Sequence, residues 1–320
     1  MSWGVWAHHM YTTGLGAIAN SAFGVSTILI AIPTGVKIFN WLATLWGGSI
    51  NLKTPLYFAI GFIAMFTIGG LTGVTHTIVP SDYQQQDTYY VVAHFHQVLV
   101  GGALFALFGG IYYWFPKFSG RLLNEKLGQV HFWLMFIGFN LTFQPMMILG
   151  LLGMPRRISS YPDHYGWGLW NMVATVGAFM IAVSIIVFIA NFILSMFSKE
   201  RAGADPWNGR TLEWSISSPP PPYNFAQIPQ VHALDDFWHK KYVENERGVP
   251  VPAVAGGANG ETHEEHHDIH LPSPSYWPLV AALGAPIMAF GFIYDFALVP
   301  AGAVILLLGL FAWALEPVTE

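Results

Sequence analysis

Seven long apolar runs constrain this chain more than any other feature of it. They span roughly residues 18–46, 55–79, 89–115, 128–153, 167–197, 276–293 and 297–315. A helix needs about 20 mostly apolar residues to cross the hydrocarbon of a bilayer. Inside lipid, every backbone N–H and C=O must be satisfied within the structure itself, and a helix does this. The runs therefore predict an all-α, polytopic membrane helix bundle with about seven transmembrane helices. Composition agrees: 53% of residues are hydrophobic and 10% charged, with a mean hydropathy of +0.46. An ordinary soluble domain carries about 25% charged residues. The 13 Lys and Arg against 18 Asp and Glu leave no basic surface for nucleic acid.

The polar stretch 198–275 separates the fifth run from the sixth. It holds Pro219 to Pro222 and the Gly-rich segment Ala255–Gly260. This divides the chain into a helix bundle at 1–197, a polar linker at 198–275, and two additional transmembrane helices with a tail at 276–320. Because successive spans alternate sides, each basic residue falls on one of two faces. All of the 13 except Arg156 and Arg157 fall on the face of the linker, which leaves 11. The positive-inside rule makes that face cytoplasmic. The face of residues 1–17, 80–88 and 154–166 is then external.

The chain has no Cys, so thiolate metal sites, iron–sulfur clusters and disulfides are excluded. Any metal must be held by His, carboxylate or Met. Two His stand at i and i+2 in Tyr89–Tyr90–Val91–Val92–Ala93–His94–Phe95–His96. At 100° per residue their side chains point about 200° apart. They cannot share one metal. They are either ligands to two centres, one on each flank, or two buried hydrogen-bonded imidazoles. The adjacent His8 and His9 can cup a copper ion or form an interfacial pair. Arg156 and Arg157 stand against the charge rule, on the face that also carries Asp82, Asp87, Asp163 and His164. Such a nest would suit the propionates of a buried haem, or simply pair in loops. Thr34 and Lys37 share a helix face at i and i+3. Lys37 either lines a proton path or snorkels to the cytoplasmic surface.

Several segments resemble subunit I of the haem–copper terminal oxidases, in its A-type, cytochrome-oxidase-like branch. They are AHHM with TTG, AIPTGVKIFNWLATLWGG, DTYYVVAHFH, GFNLTFQPMMILGLLGMPRR and YGWGLWN. The match is colinear over about residues 3–197, while the last two spans and the SPPPPYNF linker resemble longer bacterial versions. The resemblance implies reduction of O2 to water coupled to proton pumping, in the bacterial plasma membrane. It implies two haems, of type A, together with copper and a Mg2+ site. His8 and His9 would be two of three copper ligands, His94 the axial ligand of the oxygen-binding haem and His96 that of an electron-relay haem. Arg156 and Arg157 would clamp propionates with Asp82 nearby, Asp87 would belong to the Mg2+ site, and Thr34 and Lys37 to proton input. Implied partners are subunit II and other oxidase subunits, cytochrome c or quinol as donor, O2 and the lipid bilayer.

The chain departs from the pattern at three places. Gln86 stands where a His usually precedes the Asp of the Mg2+ site, Gln97 where Tyr is common, and Met147 where His is frequent. The third copper His and the second relay-haem ligand have no counterpart, so the N-terminal half of the subunit is expected on a separate or missing chain. Two competing readings are a membrane zinc metalloprotease and a non-catalytic membrane scaffold. The first rests on the H-E-x-x-H match at His263–Glu264–Glu265–His266–His267. The second leaves HFH and the Arg pair without a role.

Overall fold

The computed structural model describes residues 4–245, 250–253 and 274–317. It divides into two units, Met1–Pro219 and Pro220–Glu320. In the first unit the helices are α1 (Ala17–Ile28), α2 (Ala31–Leu45), α3 (Thr54–Thr77), α4 (Val79–Gln85), α5 (Tyr89–Val98), α6 (Phe105–Ser119), α7 (Glu125–Leu151) and α8 (Gly168–Met196). Five stretches are long and apolar enough to cross a membrane: 17–45, 54–77, 89–119, 125–151 and 168–196.

The first predicted span is bent. Pro33 has no N–H to donate, and its ring crowds the carbonyl four residues back, so α1 and α2 break at Leu29–Ile30. The third is a single rod in which π-helical residues Leu99–Leu104 join α5 to α6. Gly101 and Gly102 sit there against α3. A Cβ on Gly101 would stand 2.8 Å from the Met65 Cβ, and one on Gly102 3.0 Å from the Phe66 ring. Helix starts follow capping chemistry: Thr88 accepts from the Tyr90 N–H, and Asn124 accepts from the Leu127 N–H.

The core is aromatic. Phe58, Phe105, Phe108, Phe115, Phe132 and Phe139 interlock between α3, α6 and α7. The α7–α8 contact is close because small residues face each other, the usual device where no water drives helices together. A Cβ on Gly138 would meet the Gly177 carbonyl at 2.9 Å.

Loops expected on one side of the membrane do meet. At one end the Tyr89 N–H donates to the Met154 carbonyl (3.0 Å) and the Arg156 N–H to the Asp87 carbonyl (2.9 Å). At the other end the Thr54 N–H donates to Glu125 (2.8 Å), and Asn191 to the Asn124 carbonyl (3.0 Å). Residues 198–219 fold back onto this second end. Lys117 donates to the carbonyls of Ala204, Ile216 and Ser217, and Arg121 to that of Ser198.

The second unit holds α9 (Asp236–Lys241), the two-stranded antiparallel pair β1 (Tyr242–Glu244) and β2 (Pro250–Pro252), and the helices α10 (Trp277–Gly291) and α11 (Leu298–Ala314). The last two predicted spans thus form helices of 15 and 17 residues, shorter than the five above. They pack closely through Gly284 and Gly302.

Candidate functional site

Helix α5 carries the HFH doublet, and the two imidazoles do part to opposite flanks. His94 faces a cavity of about 460 Å³, whereas His96 stacks on Phe143 of α7, with ring centroids 4.4 Å apart. The His96 Nδ1 lies 2.8 Å from the Val92 carbonyl. A carbonyl only accepts, so Nδ1 carries the proton and Nε2 keeps its lone pair. His94 is fixed in the same sense. Its Nδ1 lies 3.1 Å from the Gly69 carbonyl and 2.9 Å from the Thr72 hydroxyl. Gly73 makes room for this ring, since a Cβ there would stand 3.0 Å from the His94 Cε1.

The cavity also gathers His8, His9, Thr34 and Asp82 from the sequence-derived set. His8 and His9 lie on a short 3-10 turn, Trp6–His9, with their Nε2 atoms 3.0 Å apart. His8 Nδ1 rests 3.3 Å from Thr27 Oγ1 at the end of α1. Burial pushes both imidazoles below their ordinary pKa, and His9 lowers His8 further. Both are thereby kept neutral, the form that binds metal. The rest of the wall is largely apolar, supplied by α2 and α3.

One lining residue escaped the sequence analysis. His76, at the end of α3, packs edge-on to His94 at 5.0 Å and holds its Nδ1 3.5 Å from Asp82 Oδ1. The rule that flagged HFH, that polar groups inside apolar spans are functional, would have found it. His76 Nε2 and Asp82 Oδ2 are buried without a hydrogen-bond partner. A cavity with unsatisfied polar atoms at one end and neutral imidazoles at its walls fits a large, mostly apolar group with polar edges.

Other expected residues lie apart. Arg156 grips Asp87, with Nη2 at 2.5 Å and Nε at 2.7 Å from Oδ1. Neither lines the cavity, although Arg156 is near enough to oppose protonation of His9. Arg157 is exposed, with φ 67°, and Lys37 is exposed one turn beyond Thr34. Asp87 is thus occupied by Arg156, and among the described residues no three His, Asp or Glu converge to hold a metal. His263–His267 lie outside the described residues.

Together these features define a multi-helix membrane protein whose histidines wall a cavity suited to a prosthetic group. The chain belongs to the family described as cytochrome c and quinol oxidase polypeptide I, whose model matches residues 1–180. It is 50% identical over 291 residues to cytochrome c oxidase subunit 1 of Bacillus sp. (strain PS3), covering 91% of this chain and 45% of that protein. It is 42% identical over 298 residues to quinol oxidase subunit 1 of Bacillus subtilis (strain 168), covering 92% of this chain and 44% of that protein. The chain therefore spans less than half the length of these relatives. Among solved structures, a haem–copper terminal oxidase dimer shares the fold, with a TM-score of 0.54 and 21% identity over 62% of this chain and 40% of that one. Membership makes the chain an integral membrane protein and implies haem and copper. It lends no support to the zinc-protease reading.

Proposed function

We propose that this chain forms part of the catalytic subunit of a respiratory terminal oxidase. The proposed reaction reduces O2 to water, coupled to proton translocation across a bacterial plasma membrane. The observation that carries this reading is the shared cavity, with His94 on one wall and the His8–His9 pair on another, while His96 faces the opposite flank of α5. His94 and His96 would hold two haems, of type A, and His8 and His9 would hold copper. Bound there, these groups supply the site for O2 and the electrons that reduce it.

The chain's own residues prepare that site. Gly69 and Thr72 keep the His94 Nε2 free, and Val92 does the same for His96. Thr27 steadies His8. Residues from α2 and α3 supply a largely apolar wall. Thr34 lines the cavity, and Lys37 one turn away would pass protons toward it. Arg156 and Arg157 would clamp the haem propionates, with Asp82 near the same cluster. Mg2+ at Asp87 would require Arg156 to let go of that carboxylate.

Electrons would come from cytochrome c or quinol through subunit II, alongside other oxidase subunits. The remaining copper and relay-haem ligands would come from an N-terminal half of subunit I. Residues 1–197 form the haem-bearing bundle in this reading, 198–275 a cytoplasmic linker, and 276–320 two added membrane helices.

Optical and resonance Raman spectra of the assembled oxidase test it. His94→Ala should abolish the oxygen-binding haem signals, and His96→Ala should disturb the relay haem instead. If both substitutions perturb one and the same haem, the two-flank reading fails.

A further inference from the structure

Two of the departures from the family pattern, Gln97 and Met147, are 50 residues apart in sequence yet touch. The Gln97 amide nitrogen donates to the Met147 sulfur at 3.2 Å. Gln97 is fully buried in the middle of an apolar helix rod. An unsatisfied amide in such a place is costly, so its two ends have to be used. A thioether has no proton to give and only accepts. It therefore draws the NH2 side of Gln97 and turns the amide oxygen the other way, where Thr72 Oγ1 lies 3.2 Å from Oε1. Thr72 is buried too, and its hydroxyl lies 2.9 Å from the His94 Nδ1.

We propose that Gln97 and Met147 are a matched pair of positioning residues that act on His94 through Thr72; this rests on the reading of His94 as a haem ligand. Every bond in the chain runs one way. His94 Nδ1–H is shared between Thr72, the nearer acceptor, and the Gly69 carbonyl at 3.1 Å; the Thr72 O–H is given to Gln97, and the Gln97 N–H to Met147. Thr72 has a single proton, and the Gly69 carbonyl at 2.8 Å competes for it. Gln97 offers that proton an outlet away from His94 and leaves the hydroxyl lone pairs facing Nδ1–H. An imidazole whose Nδ1–H is well accepted is the stronger electron donor at Nε2, and partners at this distance tune both ligand orientation and metal properties. The pair thus sets the strength of the His94–iron bond from a site that touches neither the iron nor the cavity.

The test uses the assembled, haem-loaded oxidase. The readouts are the iron–histidine stretching band of the reduced oxygen-binding haem and that haem's midpoint potential. Gln97→Leu removes the acceptor, so the band should move to lower wavenumber and the potential should rise. Met147→Leu keeps volume and apolar character but frees the amide to turn; it should give a smaller shift in the same directions. Haem content should stay full in Met147→Leu, which decides the matter if Gln97→Leu fails to assemble. A band and potential unchanged in Met147→Leu, and in Gln97→Leu where it assembles, would overturn the proposal. His94→Ala separates the two claims. If the band survives in His94→Ala, the ligand assignment itself fails. If the band is lost there but unmoved in the other variants, only the relay fails.

Discussion

Helix α7 and the α1–α2 rod are both long apolar spans of one bundle, yet they are packed very differently. In the most apolar window of α7, 44% of residues are buried inside the chain; in that of Ala17–Leu45 the share is 6%. The buried helix carries no proposed ligand. It carries interlocked rings, close glycine contacts and satisfied polar groups such as Thr142, which donates to the Gly138 carbonyl. The thin rod, with the turn before it, supplies His8, His9, Thr27 and Thr34 to the cavity. α7 is thus given over to packing and the α1–α2 span to the cavity, while α3 and the α5–α6 rod, with intermediate burial, serve both.

The largest expected effect breaks the packed side. Gly138→Leu would drive a side chain into the Gly177 carbonyl and Met180, and backbone cannot move aside cheaply. Overpacking of this kind costs about 1–3 kcal/mol or more, so assembled protein should be lost from detergent extracts. Gly35→Ala on α2 is the matched control. A Cβ there meets nothing within 4 Å, and helix propensity favours Ala by ~1 kcal/mol. Assembly and thermal midpoint should hold or rise. Gly35 lines the cavity, so a marked loss in Gly35→Ala would show that the cavity is tightly filled along α2 in the working complex.

Next in size is the clamp at the opposite end of the bundle from His8 and His9. Lys117 is buried and donates to three carbonyls of residues 204–217, at 3.1, 2.8 and 3.3 Å. Hydrogen bonds to a charged group contribute about 1.5–3 kcal/mol each when satisfied. Lys117→Met should therefore loosen 198–219 from the bundle. Limited proteolysis in that segment should run at least about tenfold faster, the equivalent of ~1.4 kcal/mol, with the spans intact. Smaller again is Lys37→Met. Turnover should slow with both haems retained, and undiminished oxygen consumption would reduce Lys37 to a snorkelling side chain.

Much of this contrast was readable from residues alone. Apolar run lengths locate the five long spans to within a few residues, because the bilayer length rule is strict. That His94 and His96 face different flanks follows from helix geometry, and one does line the cavity while the other stacks on Phe143. Three features were not read from the sequence, each for its own reason. The break at Leu29–Ile30 follows from Pro33, which a reading by run length passes over. Lys117 counts in sequence as one more cytoplasmic charge, yet residues 198–219 fold back to bury it. His76 joins the site through its ring contact with His94 and its approach to Asp82 on α4, neither of which run length reveals.

The smallest expected effect concerns the outer edge of the cavity. Arg156 pairs with Asp87, whose side chain is 59% exposed. Exposed ion pairs contribute about 0–1 kcal/mol, so Arg156→Gln should barely move the thermal midpoint of the protein without haem. A different outcome is expected once haem is bound. Arg156 is close enough to oppose protonation of His9, and a guanidinium that leaves Asp87 can turn the same two N–H groups to another carboxylate. If it does so with a haem propionate, Arg156→Gln should lower haem retention in the loaded oxidase while leaving the empty protein as stable as before. Equal small effects in both states would confine Arg156 to its loop pair with Asp87, and the thin side would then hold its occupant by histidines and apolar contact alone.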